Sequence, residues 1–223
     1  MIGKIKNFNS RSLLIFNTFG ILITSYIFNN FIFIGIFLAS FLISSNLTKK
    51  GIFLLNKLNL LQNIRIEGPS NHFKKINTPT VGGIFIIIPF LIFLLTICIK
   101  YYSIKIFLLF CCIFGFFIIG FLDDYLSIKN KKNTGLKSLE KLFLQSLISS
   151  VFILLAFKAD YITPSIVISE SLKINTSLMI LPISFFTLVG LSNSVNLTDG
   201  LDGLASGCSG VVFFGLGTEI LLQ

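Results

Sequence analysis

The stretch IKIFLLFCCIFGFFIIGFLDDY, residues 104–125, decides the fold class of this chain. Before its two aspartates it carries a single charge, Lys105, and its apolar part matches the ~20 residues that an α-helix needs to cross a bilayer. A carboxylate beside hydrocarbon is costly unless it faces water, a cation or a polar partner. We therefore predict a membrane span over 104–122 that ends at a functional pair of acids, Asp123 and Asp124. Simple solvation of both acids at the helix end is the alternative.

The two aspartates are neighbours in sequence. On a helix they point about 100° apart, so they cannot chelate one ion as a simple face pair. We expect them to have different tasks.

Apolar segments of similar length lie on both sides of this span, near 31–47, 80–98, 142–157, 177–195 and 203–222. The stretch 13–28 either crosses the membrane or lies at its surface. Hydrophobic residues make up 54% of the 223 residues and charged residues only 12%, against about 25% charged in a soluble domain. The sequence thus predicts an all-α, polytopic transmembrane helical bundle of about six or seven spans, forming one domain over 1–223.

The net charge of +9 comes from lysines and arginines that lie mainly in two loops. Loops 48–79 and 123–141 are basic, whereas loop 158–176 is balanced. Basic loops favour the cytoplasmic side, so we place 48–79, 123–141 and 196–202 there. Membrane orientation explains the charge, and no nucleic-acid-binding motif accompanies it. The four cysteines show no disulfide or zinc spacing.

A second pair of acids lies in the segment NLTDGLDGLASG, residues 196–207. Asp199 and Asp202 are three positions apart, so they share a face if the segment is helical. The glycines of the segment permit close backbone approach and an irregular helix start. A broken helix is tolerated at membrane depth where it lines a polar cavity. We therefore predict a polar site here, to which Asn196 and Thr198 add donors and acceptors.

A third polar element is the loop GPSNHFKKINTPTVGG, residues 68–83. Its histidine and lysines supply positive charge, and its Thr-Pro-Thr turn is stiff and carries hydroxyl groups. Basic and acidic groups on one membrane face suit phosphoryl transfer, which depends on positioning and charge neutralisation. Carboxylate ligands favour magnesium over zinc. The lysines alone are equally explained as ordinary positive-inside charge.

The segments 68–83, 120–125 (GFLDDY) and 192–207 (SNSVNLTDGLDGLASG) together resemble the phospho-N-acetylmuramoyl-pentapeptide-transferases, or translocase I, in order, spacing and membrane side. The wider superfamily moves sugar phosphates from UDP-sugars to polyprenyl phosphate. The resemblance implies that phospho-MurNAc-pentapeptide is transferred from UDP-MurNAc-pentapeptide to undecaprenyl phosphate with Mg²⁺, giving lipid I and UMP. It places the chain in the bacterial inner (cytoplasmic) membrane, with the motifs on the cytoplasmic face. The resemblance does not decide whether the protein forms a homodimer.

The resemblance also implies roles for single residues. Asp123 acts as the base that deprotonates the lipid phosphate, or as a nucleophile in a two-step scheme, and Asp124 supports metal or phosphate placement. Metal ligands beyond these two acids stay unassigned. The motif histidine is His72, with no role specified. The uridine-sugar pocket is implied to involve Lys75, Thr80, Asn196, Asp199, Gly200, Leu201 and Asp202.

The chain departs from the family pattern at Asn77, where glycine is usual, and at Val81, where methionine is usual, and in two further ways. Ser127 replaces a basic residue common four positions after the first aspartate. The family also continues into further spans with a third, magnesium-binding aspartate and a histidine-rich loop, so the likeness is to its N-terminal portion. On these grounds we expect no magnesium-dependent UMP release from the chain alone. The alternatives are a superfamily enzyme using a UDP-N-acetylhexosamine, a non-catalytic remnant and, disfavoured by the clustering of acids at one face, a cation transporter.

Overall fold

The structure is a computed structural model, which describes residues 32–58, 60, 79–130, 135–167, 172–199 and 203–222. A two-stranded antiparallel sheet, β1 (Ser165–Val167) and β2 (Lys173–Asn175), and a 3₁₀ turn (Ser177–Met179) lie between the fourth and fifth of the helices described next. In chain order the helices of the described residues are α1 (Ile32–Lys57), α2 (Ile84–Tyr101), α3 (Ile104–Asn130), α4 (Ser138–Lys158), α5 (Ile180–Thr198) and α6 (Leu204–Leu222).

The helices carry apolar side chains on their outside. Phe93 of α2 and Phe186 of α5, for example, are exposed rather than buried. Such a surface is stable against lipid but not against water. Among the described residues, the segments long and apolar enough to cross a membrane are Ile84–Tyr101, Ile104–Asn130, Ser138–Lys158 and Ser177–Thr198, and Leu204–Gly217 is a shorter apolar helix. The protein is a helical membrane protein, as predicted, and the span count is supported only roughly.

Two helices run further than the hydropathy predicts. The helix expected over 31–47 is described from Ile32 and continues to Lys57, so Lys49 and Lys50 lie on a helix and not in a loop. The helix expected over 104–122 continues to Asn130 and therefore includes Asp123 and Asp124. Hydropathy marks the thickness of the hydrocarbon, whereas backbone hydrogen bonding continues the helix into polar surroundings. The stretch 13–28 lies outside the described residues.

Consecutive helices α2, α3 and α4 pack side by side. The turn from α2 to α3 is only two residues, Tyr102 and Ser103, and Tyr102 adopts a left-handed conformation with φ 48°. At the α3–α4 contact, a Cβ added to Gly115 would lie 2.8 Å from a methyl group of Ile148, so the missing side chain lets the two helices approach closely. This alternation brings the start of α2, the end of α3 and the start of α4 to one end of the three-helix group.

The chain divides into two compact units. One is Ser44–Val189 and contains α2, α3 and α4; the other is Met1–Ile43 with Gly190–Gln223, of which 32–43, 190–199 and 203–222 are described. That all of 1–223 forms one domain stays a prediction.

Candidate functional site

Asp123 is held by the segment that leads into α4. Its Oδ1 accepts a hydrogen bond from the backbone N–H of Leu136 at 2.9 Å, and its Oδ2 lies 2.7 Å from Nζ of Lys141. The side chains of Asp123 and Lys141 are only 25% and 17% exposed. Because water screens this pair little, losing one partner costs more than it would at an open surface. Asp123 is thus fixed in direction by two donors from one neighbouring segment.

Gly135 lies directly against Asp123. A Cβ on Gly135 would overlap the backbone carbonyl oxygen of Asp123 and would lie 2.7 Å from its Oδ1. The obstacle is mainly backbone, which cannot swing away as a flexible side chain can. Position 135 therefore requires glycine if Leu136 is to reach the carboxylate.

Asp124 is held by a different segment, the turn before α2. Its carboxylate accepts hydrogen bonds from the backbone N–H of Val81 and from the hydroxyl of Thr80, and Lys141 attracts it electrostatically. The turn itself is fixed to the segment just after α1, because the N–H of Thr80 donates to the carbonyl oxygen of Leu60 at 3.0 Å. Asp124 thus connects α3 to the entry of α2.

Val81 has an unfavourable backbone conformation at this contact. Its φ is 66°, in the left-handed region that β-branched residues rarely adopt, and its side chain is buried. Such a conformation costs roughly 1–3 kcal/mol and persists only where the surroundings enforce it. Here the carboxylate of Asp124 accepts from the Val81 N–H, and the Val81 carbonyl accepts from the N–H of Ile84 at 3.3 Å, at the start of α2.

The adjacent acids have different surroundings, and that they have different tasks stays a prediction. Asp123 contacts the 135–141 segment, and Asp124 contacts the 80–81 turn. Of the residues that the resemblance implied, the structure brings Thr80 to the acids. It adds Val81, Gly135, Leu136 and Lys141, to which the motifs assigned no role. Two features of the sequence could have indicated these contacts. They are Gly135, shortly before the start of α4, and Lys141, one turn inside that helix.

The second predicted acidic site lies at the break between α5 and α6. Asn196 is in the last turn of α5, and the N–H of Asp199 still donates to the carbonyl oxygen of Val195 at 3.2 Å. Asn196 and Asp199 therefore share a face, and both are exposed. Gly203, with φ 81°, precedes α6, so the predicted interruption of the helix is present.

The described residues do not contain the whole predicted site. His72, Lys75, Gly200, Leu201 and Asp202 lie outside them. Within the part of the chain that is described, no group of three or more His, Cys, Asp or Glu side chains is placed to hold a metal ion.

Thr80→Val is expected to lower the thermal stability of the purified chain in detergent. It removes the hydroxyl donor to a charged acceptor, a loss of about 1–3 kcal/mol, and Thr80→Ser should restore most of it. Thr96→Val is the matched control, because the hydroxyl of Thr96 donates only within its own helix, to Ile92 O at 2.8 Å. Equal melting temperatures for the Thr80→Val and Thr96→Val variants would show that the Thr80–Asp124 contact does not stabilise the site.

Comparisons with known proteins agree on a family. The model of glycosyl transferase family 4 matches residues 106–222. The chain is 64% identical over its whole length to proteins named phospho-N-acetylmuramoyl-pentapeptide-transferase in Prochlorococcus marinus strains MIT 9215 and MIT 9312, and it spans 62% of their length. A protein of the same name in Bacillus mycoides (strain KBAB4) is 40% identical over 78% of this chain and 54% of its own. Since the family model covers more than half of its 223 residues, the chain belongs to glycosyl transferase family 4.

Proposed function

We propose that this chain carries part of the active site of a phospho-N-acetylmuramoyl-pentapeptide-transferase of the bacterial cytoplasmic membrane. The enzyme would transfer phospho-MurNAc-pentapeptide from UDP-MurNAc-pentapeptide to undecaprenyl phosphate. The observation that carries the proposal is the fixation of two adjacent acids on α3 by two different segments, with Lys141 beside both. The identity of 64% to proteins of that name supports the substrate class.

The proposed reaction is a displacement at phosphorus. An oxygen of undecaprenyl phosphate attacks the phosphorus bonded to the sugar, the bond from that phosphorus to the bridging oxygen breaks, and UMP leaves. Asp123 takes the proton of the lipid phosphate when that group arrives protonated. A carboxylate has about four acceptor positions, and the contacts of Asp123 with Leu136 and Lys141 use two of them. The remaining positions permit a further hydrogen bond from the substrate.

Lys141 and Asp124 have supporting roles in this proposal. Phosphoryl transfer accumulates negative charge on the transferred group, and a nearby ammonium offsets it. Lys141 is positioned by Asp123. Asp124 keeps the turn at 80–81 against α3, next to the loop 68–79 that supplies the predicted substrate-binding lysine, Lys75.

Magnesium is the cation that the family chemistry implies. Carboxylate oxygens are suitable ligands, but those of Asp123 and Asp124 already accept hydrogen bonds from the chain. No third metal-ligating side chain of the described residues joins them. The described residues therefore do not form a complete magnesium site.

The proposal places the acids on the cytoplasmic side. The basic segments that adjoin the acids, 48–79 and 123–141, carry the lysine excess that cytoplasmic loops show. This is also the side on which a nucleotide-linked substrate would be present.

The test is a chimera in which residues 1–223 replace the matching segment of the Prochlorococcus marinus MIT 9215 relative. We expect UMP release that requires both undecaprenyl phosphate and Mg²⁺, together with formation of the lipid-linked sugar. UDP-N-acetylglucosamine in place of UDP-MurNAc-pentapeptide should give no product. Turnover with that substrate would favour the superfamily alternative, and no turnover with either, in a folded chimera, would contradict the proposal.

Asp202→Ala in the same chimera should weaken binding of UDP-MurNAc-pentapeptide at least about tenfold, because a hydrogen bond to a charged group contributes about 1.5–3 kcal/mol. Calorimetric titration measures this. Ser206→Ala is the control, since the hydroxyl of Ser206 donates to Gly203 O near the start of its own helix. An unchanged affinity in Asp202→Ala would exclude this residue from the nucleotide pocket.

A further inference from the structure

The connection between α4 and α5 contains a β-hairpin that the proposed reaction does not use. Its strands β1 and β2 pair antiparallel, with Ser165 opposite Asn175, Ile166 opposite Ile174 and Val167 opposite Lys173. Side chains alternate between the two faces of a strand. Ile166 and Ile174 therefore share one face, while the other face carries three polar side chains and Val167.

The apolar face of this hairpin is open. Ile174 is 47% exposed, and Leu172, just before β2, is 51% exposed. An isolated two-stranded hairpin is marginally stable in water and needs an apolar partner for one face. The hairpin is therefore expected to rest this face against a surface.

The base of the hairpin is fixed at the start of a membrane span. The carbonyl oxygen of Pro164 accepts hydrogen bonds from the N–H groups of Thr176 at 2.9 Å and of Ser177 at 3.2 Å, and Ser177 begins the candidate span Ser177–Thr198. Ile174 is three residues from Ser177, so it lies within about 10 Å of the span start. The polar layer on each side of a bilayer is about 5–8 Å thick. The chain length alone keeps Ile174 close to the lipid.

Side chains near the hairpin are of the kind found at a membrane interface. Lys105, at the start of α3, lies 6.0 Å from the ring centre of Tyr161, which follows α4. Tyrosine and lysine are typical of the boundary between hydrocarbon and water. Leu178 and Met179, at the beginning of the span, are also exposed. Exposed apolar side chains are therefore present both on the hairpin and at the start of the span that follows it.

We propose that the β1–β2 hairpin lies flat in the membrane interface, with Ile166 and Ile174 directed toward the acyl chains and Lys173 toward water. The partner is the lipid surface itself. The hairpin would hold the connection between α4 and α5 at a fixed depth, on the membrane side opposite to the acids of the candidate site.

The chain contains no tryptophan, so a single introduced tryptophan reports on one position. We would reconstitute the Ile174→Trp and Lys173→Trp variants of the full chain in phosphatidylcholine vesicles. Emission from Ile174→Trp should be blue-shifted and should be lost when the lipids are brominated near their carbonyl ends. Emission from Lys173→Trp should be quenched by aqueous acrylamide and much less by the brominated lipid.

Ile166→Trp is the second variant, because it reports on the same face from the other strand if Ile174→Trp does not reconstitute. Acrylamide quenching of both apolar-face variants without bromine quenching would overturn the proposal. Blue-shifted emission that neither quencher reaches would overturn it too, because a protein surface would then cover the hairpin. Equal bromine quenching at Ile174→Trp and Lys173→Trp would contradict the flat orientation.

Discussion

Asp123→Asn is expected to abolish transfer in the chimera while membrane insertion is retained. The asparagine side chain cannot take a proton, and loss of a general base lowers turnover by about 10²–10⁴-fold. The variant also leaves Lys141 facing a neutral amide where it now lies 2.7 Å from a carboxylate oxygen. We therefore expect lower thermal stability as well, by about 1–3 kcal/mol. UMP release and the melting temperature are measured on the same preparation.

The double variant Asp123→Asn/Lys141→Met separates these two effects. Removing both charges takes away the unpaired ammonium, so part of the lost stability should return. Activity should stay lost, because the base is still missing. Recovery of turnover in the double variant would show that Asp123 serves only to pair with Lys141. Wild-type turnover in the Asp123→Asn variant would show that Asp123 has no catalytic role.

Gly135→Ala is expected to reduce turnover strongly without any change in charge. The added methyl group would overlap the carbonyl oxygen of Asp123, so either α3 or the segment before α4 must move. Overpacking of this kind costs about 1–3 kcal/mol. A displacement of about 1 Å in a catalytic group can lower the rate about 10²-fold. We expect this loss in kcat, with the KM for the nucleotide substrate little changed.

Gly120→Ala is the matched control for Gly135→Ala. Gly120 lies on α3 one turn before Asp123, and a Cβ there meets no atom within 4 Å. Alanine is also a better helix former than glycine by about 1 kcal/mol. Gly120→Ala should therefore keep both activity and stability. If Gly135→Ala behaves like Gly120→Ala, the close contact between Gly135 and Asp123 has no functional role.

Much of the fold could be predicted from local sequence. The spans near 80–98, 104–122, 142–157 and 177–195 correspond to helices α2 to α5. A helix that faces lipid satisfies its own backbone hydrogen bonds, and its length is set by the bilayer. The position and the approximate length of such a helix can therefore be predicted from one continuous apolar segment of about 20 residues. The ends of helices are harder to predict, because Lys49 and Asp123 lie on helices that continue beyond the apolar stretch.

The candidate site was predicted in part. The motif pointed to the segment of α3 that carries Asp123 and Asp124, and the different directions of the two acids followed from helix geometry. The resemblance implied Thr80 for the substrate pocket, and the structure places its hydroxyl at Asp124. The partners of Asp123 were not predicted. Leu136 contributes only its backbone N–H. A backbone contact of this kind does not depend on the residue type, so the sequence does not reveal it. Lys141 belongs to the predicted basic loop 123–141, where a lysine is explained equally well by membrane orientation.

The sequence by itself determined that the chain is a helical membrane protein, where most of its spans lie, and that two acids directly follow the apolar part of one span. Tertiary structure alone decided that Lys141 pairs with Asp123, that Gly135 must lack a side chain, and that Val81 is held at a positive φ against Asp124. Hydropathy and helix period are properties of one segment. Pairing across α2, α3 and α4 depends instead on which residues the packed helices bring within hydrogen-bond distance.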